Sequence, residues 1–223
     1  MDELRKKTVT GSFWTLFERF GYLGIQFVSN LVLARLLMPS DFGTIGVLII
    51  FTCLSNVLID SGLSSALIQK KNISEEDKST VFFTNLSLAI VVYIIIYFIA
   101  PLIAQYFHNP ELYGLLRVIE LMVVVDAFAA IQSTVLSREM DFKTLAKYKV
   151  FSIIIAVIVS VALAYAGMGV WALVIQYLLF SLCRAFLLWS RTKWRPHLVF
   201  SKVSFQLLFG YGSKLLLSSL NYS

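Results

Sequence analysis

Apolar residues run along this chain in long unbroken blocks rather than in alternation. Thr80 to Phe107 contains no Asp, Glu, Lys or Arg, and neither does Val150 to Cys183. A helix needs roughly 20 apolar residues to span the hydrocarbon core of a bilayer. The first block is therefore one span. The second holds parts of two, broken at Ala166-Gly167-Met168-Gly169. Only helices and closed barrels satisfy every backbone donor and acceptor in lipid. Barrel strands would show alternating segments of about 10 residues, and these blocks do not alternate. The pattern predicts an all-α polytopic bundle with helices over 11–37, 42–67, 79–106, 111–137, 144–166 and 169–190. A seventh begins near 204. Pro39 breaks the first pair, with Ser40 or Asp41 placed to cap the second helix. Asn109-Pro110 and the Gly167/Gly169 pair mark the other short turns.

Charge then orients the bundle. Arg5, Lys6, Lys7, Lys70, Lys71, Lys78, Arg138, Lys143, Lys147, Lys149, Arg191, Lys193, Arg195 and Lys202 all fall at one end of the predicted spans. They make up most of the 19 Lys and Arg residues. The connections at the other end contain none. The positive-inside bias predicts a cytoplasmic basic end and a cytoplasmic N-terminus. Trp14, Trp189 and Trp194 fall near the predicted inner boundary and Trp171 near the outer one. The apolar stretch after Lys7 runs to Leu37, too far for a cleaved signal peptide, so it reads as an uncleaved first span.

Composition agrees. The chain is 58% hydrophobic and only 14% charged, with net charge +6. A soluble domain usually carries about 25% charged residues. With the basic residues in short loops, the charge speaks for orientation and not for nucleic acid. Cys53 and Cys183 lie in predicted spans, and His108 and His197 are isolated, so no disulfide framework or metal site is expected. There is no P-loop and no nucleophile elbow. The outer connections are too short to hold an extracellular domain, so function must lie within the helices. The chain stops about 20 residues into the seventh helix, which reads as a piece of a longer protein.

Charged side chains inside the spans are the candidate site, because each costs roughly 2.5–3.5 kcal/mol at the bilayer centre. Glu18 and Arg19 lie two turns into the first helix, either lining a vestibule or snorkelling. Arg35 and Arg184 sit near helix ends and read as snorkelling anchors. Asp60 lies in a stretch of small residues, as a capped kink or as a polar lining. Arg117 and Glu120 are spaced i,i+3 and are expected to pair. Asp126 is nearest the midplane and needs a partner on another helix or a water-filled cavity. Lys214 is deep in the seventh helix. Basic residues inside a bundle suggest a path for an anionic solute.

Four segments carry a family resemblance: Leu33-Ala-Arg-Leu-Leu-Met-Pro-Ser-Asp-Phe-Gly43, Leu58-Ile-Asp-Ser-Gly-Leu-Ser-Ser-Ala-Leu-Ile-Gln-Lys-Lys71, Ser137-Arg-Glu-Met-Asp-Phe-Lys143 and Gly167-Met-Gly-Val-Trp-Ala172. In this order they resemble the bacterial polysaccharide flippases, the O-antigen and colanic-acid exporters, of the multidrug/oligosaccharidyl-lipid/polysaccharide exporter superfamily. That resemblance implies two helical lobes facing a cationic cavity, moving undecaprenyl-pyrophosphate-linked oligosaccharide across the inner membrane by alternating access. It implies a first lobe over 1–190, a cytoplasmic linker over 191–203, and the start of a second lobe over 204–223. Expected partners are the lipid-linked anionic oligosaccharide, the bilayer and a C-terminal lobe, with no nucleic acid and no cofactor. No position transfers from the family's substrate site. On embedded charge, Arg19, Arg117 and Lys214 would attract the pyrophosphate, and Glu18, Asp60 and Asp126 would tune charge or coupling. No catalytic or metal residue is expected. A multidrug extruder of the same superfamily, which would need an acidic cavity, and a membrane polysaccharide polymerase, which would need a larger outer loop, stay open as alternatives.

Overall fold

The computed structural model describes residues 2–59, 63–70, 73–199 and 201, with the side chains of 2–9 and of Gln69 excepted. Among the described residues the chain is helix and loop, without strands. The helices are α1 (Asp2–Leu36), α2 (Pro39–Ile59), α3 (Leu63–Gln69), α4 (Glu75–Tyr106), α5 (Leu112–Ile119), α6 (Leu121–Arg138), α7 (Phe142–Tyr165) and α8 (Val170–Arg191). Of these, α2, α4, α7 and α8 are long and apolar enough to cross a membrane. The chain is an all-α membrane bundle.

Two of the expected helices are divided. The helix expected over 42–67 ends at Ile59 and resumes as the short α3. The helix expected over 111–137 is α5 and α6, separated at Glu120. There the Val123 amide bonds to the Glu120 carbonyl, three residues back instead of four, which tightens one turn. The expected seventh helix, with Lys214, lies outside the described residues.

The connections sort onto two ends. At the end without basic loops, Asn109 Nδ2 donates to Thr44 Oγ1 at 3.3 Å, joining the α4–α5 turn to the start of α2. The Gly169 backbone approaches the Asp41 carboxylate there. Asp41 Oδ2 accepts from the Met38 amide at 3.0 Å, with Pro39 as the first helical residue of α2. At the basic end, Arg138 Nη1 donates to the carbonyls of Leu67, Ile68 and Lys70 at 2.9, 2.7 and 2.7 Å. These are carbonyls at the C-terminal end of α3, which helix geometry alone leaves unsatisfied. Ser74 and Asp77 form a capping box that starts α4, and Lys70 Nζ meets the buried Asp77 carboxylate at 2.6 Å. The strand-like segment after α8 folds back over this end. Trp194 Nε1 donates to Glu75 Oε2 at 2.7 Å, Gln132 Nε2 to the Trp194 carbonyl at 3.3 Å, and the His197 amide to Ser79 Oγ at 3.1 Å.

Three helix ends close by the same device. After α7 the Met168 amide reaches the Leu163 carbonyl and the Gly167 amide the Ala164 carbonyl, with Gly167 at φ 80°. This paired Schellman closure needs a left-handed residue just past the helix. The ends of α4 and α6 repeat it with His108 at φ 50° and Met140 at φ 57°. A side chain in that conformation costs roughly 1–2 kcal/mol. His108 is exposed, so His108→Gly is expected to stabilise the protein by about 1 kcal/mol. Thermal unfolding in detergent checks this, and an unchanged or lower midpoint would contradict it.

Packing relies on small residues. Ser152, Ala156, Ser160 and Ala164 are all buried along one face of α7, spaced four apart. Such a stripe lets helices approach closely where lipid offers no hydrophobic drive between them. α7 packs against both α1 and α8. The largest apolar cluster gathers Leu33, Leu48, Ile103, Leu115, Leu116 and Val174 among its members, and it joins α1, α2, α4, α5, α7 and α8. It includes Leu37, Leu112 and Val170, beside the turns of the non-basic end, so the bundle's main apolar core reaches that end. Toward the basic end the apolar clusters are smaller and separate, which leaves room for the polar cavities.

Candidate functional site

Asp126, the acid expected nearest the midplane, projects from α6 toward α8. Ser181 Oγ donates to Asp126 Oδ1 at 2.9 Å, and Arg184 Nη2 approaches the same oxygen at 3.5 Å. Arg184 therefore belongs to an interhelical ion pair. The reading of Arg184 as a snorkelling anchor is corrected: a carboxylate two turns inside the bundle holds the guanidinium inward. Asp126 and Arg184 line a cavity of about 450 Å³ together with Asn56 of α2, Ser64 of α3 and Asn85 of α4. Asp126 is expected to need a partner on another helix or a water-filled cavity; the structure gives it the partner Arg184 and sets it at the edge of a cavity.

Arg184 also borders a second cavity, of about 280 Å³, nearer the basic end. Here Lys149 Nζ of α7 meets Glu18 Oε1 of α1 at 2.8 Å, with Thr15, Ser133, Ser137 and Tyr148 on the walls. The Lys149 ammonium also stands 5.0 Å from the centre of the Tyr22 ring. Two ion pairs thus form one polar seam that runs between α1, α6, α7 and α8, with Arg184 common to both chambers. The seam balances two acids against two bases. Each pair is only partly shielded, with a fifth to a third of each side chain exposed. Partly solvated pairs can be opened by a competing charge at far lower cost than fully buried ones. A diphosphate, with more charge and more acceptor oxygens than a carboxylate, is such a competitor for a guanidinium fork.

Arg117 is placed differently from the expectation. It does not pair with Glu120. Its Nε and Nη2 donate to the Tyr97 carbonyl at 3.4 and 3.2 Å. Its guanidinium lies 3.6 Å from the Tyr97 ring centre and 3.9 Å from that of Tyr113, and Nη1 donates to the Tyr113 hydroxyl. The physical reason is Pro101. In a helix the Tyr97 carbonyl would accept from residue 101, and proline has no N–H to give. Arg117 supplies the missing donor from the next helix. Glu120 turns the other way, toward Thr52 and Ser55 of α2, and is almost fully buried.

Arg19 is exposed, one step around α1 from the inward-facing Glu18. Asp60 and Lys214 lie outside the described residues. Reading the sequence for embedded charge found Glu18 and Asp126 but missed their partners. The sequence reads Lys149 with the basic inner end and Arg184 as a snorkelling anchor. The available signal was depth: opposite charges at equal depth in neighbouring spans are each other's cheapest partners.

Comparison with known proteins follows the same lines. A family model described as polysaccharide biosynthesis protein matches residues 32–222. The chain is 29% identical over 196 residues to the succinoglycan biosynthesis transport protein ExoT of Rhizobium meliloti, covering 87% of this chain and 40% of that protein. It is 27% identical over 203 residues to the lipopolysaccharide biosynthesis protein WzxC of Escherichia coli, covering 90% and 41%. It is 25% identical over 222 residues to the teichuronic acid biosynthesis protein TuaB of Bacillus subtilis, covering 99% and 46%. The chain thus spans less than half the length of these relatives. No solved structure matches it.

Proposed function

Because this chain belongs to the polysaccharide biosynthesis protein family, we propose that it forms one lobe of a transporter that moves a lipid-linked anionic oligosaccharide across the inner membrane. The observation that carries this reading is the polar seam Glu18–Lys149 and Arg184–Asp126, set inside a bundle whose main apolar core lies toward the other end. A purely structural bundle has no use for two ion pairs bordering cavities at membrane depth, where each charge is costly. The basic end faces the cytoplasm and the seam opens toward that side, where the lipid-linked precursor is made. The names of the relatives, a succinoglycan transport protein and two cell-surface polysaccharide biosynthesis proteins, support the cargo class.

In this mechanism the pyrophosphate of the carrier lipid displaces Asp126 from Arg184, and Lys149 exchanges Glu18 for the incoming charge. Arg19 and Lys214 attract the pyrophosphate, and Asp60 adjusts the charge of the lining. Arg117, expected to attract the pyrophosphate, has its guanidinium engaged by the Tyr97 carbonyl of α4, so the proposed path is built on Arg184 and Lys149 instead. The lobe spans 1–190, residues 191–203 link it to a second lobe that begins at 204, and rocking of the two lobes exposes the seam to each side in turn. The step is binding and conformational change, with no covalent chemistry.

Deletion of the gene is expected to abolish the host's surface polysaccharide while leaving drug susceptibility unchanged, with the gene in trans restoring the polymer. Normal surface polymer together with a gain in drug sensitivity would favour a multidrug extruder and overturn this reading.

A further inference from the structure

Glu120 sits at the break between α5 and α6 with 1% of its surface exposed. Neither carboxyl oxygen has a hydrogen-bond partner of good geometry. The polar groups facing it are the Thr52 and Ser55 hydroxyls of α2, both themselves buried. Among the described residues no cation faces it. Arg117 of α5 turns to the Tyr97 carbonyl of α4, and Arg184 of α8 turns to Asp126 of α6. The titratable group of α8 on this side, Tyr177, faces Tyr22 and Cys53. An ionised carboxylate taken out of water without a partner costs several kcal/mol, more than any neighbour here returns.

Thr52 Oγ1 lies 2.9 Å from the Leu48 carbonyl of its own helix, the usual back-bond of a helical threonine. A hydroxyl so engaged still offers lone pairs to which a protonated carboxyl can donate.

We propose that Glu120 is a proton-binding site. In this conformation its carboxyl holds a proton that can be donated to the Thr52 or Ser55 hydroxyl, sealing α2 against the α5–α6 break. When α2 moves away and water enters, the same group can release the proton. Occupancy of the site by a proton is thereby coupled to contact between α2 and the α5–α6 pair. The inference does not depend on the cargo.

The test is infrared spectroscopy of the whole protein in lipid nanodiscs at neutral pH, which resolves the carbonyl stretch of a protonated carboxyl from that of a carboxylate. We expect one protonated-carboxyl band that is lost in Glu120→Gln, an isosteric change that keeps the fold. The band should persist in Asp126→Asn, and it should shift in Thr52→Val, which removes an acceptor without touching the acid. A spectrum unchanged by Glu120→Gln would overturn the proposal. So would a band that vanishes when sodium replaces choline at constant pH, which would make the site one for a metal cation.

Discussion

Replacing Arg117 with alanine is expected to cost about 2–3 kcal/mol of stability, and most of that cost should disappear when Pro101 is alanine as well. Hydrogen bonds from a charged donor contribute roughly 1.5–3 kcal/mol, and a cation over an aromatic face adds roughly 0.5–1 kcal/mol. In the native chain the Tyr97 carbonyl depends on Arg117, because Pro101 offers no donor. Without Arg117 an unsatisfied carbonyl is left in the apolar part of α4. In Pro101→Ala the new amide can reach Tyr97, and Arg117 becomes dispensable except for its stacking on Tyr97 and Tyr113. The loss on removing Arg117 should then fall to about 1 kcal/mol. The coupling between the two sites would be about 1–2 kcal/mol, read from a double-mutant cycle of denaturant unfolding in detergent. An equal cost for Arg117→Ala in both backgrounds would refute the role given to Arg117.

The second large effect concerns transport. Arg184→Ala removes the guanidinium shared by the two cavities and leaves Asp126 without its countercharge. Removing one member of a fully buried pair costs roughly 3–5 kcal/mol. Here about a quarter of each side chain is exposed, so the stability loss should be nearer 1–2 kcal/mol and the protein should still fold. If the seam is the proposed anion path, the transport rate should fall roughly tenfold or more, because the guanidinium proposed to exchange Asp126 for the cargo is gone. Asp126→Asn should act in the opposite sense on binding. It frees Arg184 to hold an anion without competition, so cargo binds more tightly while release slows. Tighter binding that does not extend to the transition state does not raise turnover. Equal turnover in wild type and Arg184→Ala would remove the seam from the path.

Much of this architecture is legible in the sequence because lipid allows few solutions. Long uncharged blocks mark α4, α7 and α8, and Pro39, Asn109-Pro110 and Gly167/Gly169 mark turns that the structure places at one end. What periodicity could not supply is the direction of single side chains. The i,i+3 spacing of Arg117 and Glu120 favours a pair, yet a proline sixteen residues upstream on the neighbouring helix claims the arginine. Lys149 reads as part of the basic inner end because it follows Lys143 and Lys147. Asp141 accepts from the Thr144 amide and α7 begins at Phe142, which sets Lys149 two turns inside the helix. The division at Glu120 has no proline or glycine to announce it. Left-handed His108 and Met140 likewise carry no signal of the kind that Gly167 does, because the paired backbone hydrogen bonds of each helix end hold them in a conformation their side chains disfavour.

The proposed passage of an anionic lipid-linked oligosaccharide along the Arg184–Asp126 seam is open to direct measurement. The direct test is transbilayer movement in liposomes containing the whole protein and a labelled polyprenyl-pyrophosphate oligosaccharide. Exposure of the glycan is read by an added impermeant lectin. Protein-dependent exposure is expected, roughly tenfold or more slower with Arg184→Ala and slowed with Asp126→Asn. Exposure no faster than in protein-free liposomes, or equally fast in wild type and Arg184→Ala, would contradict it.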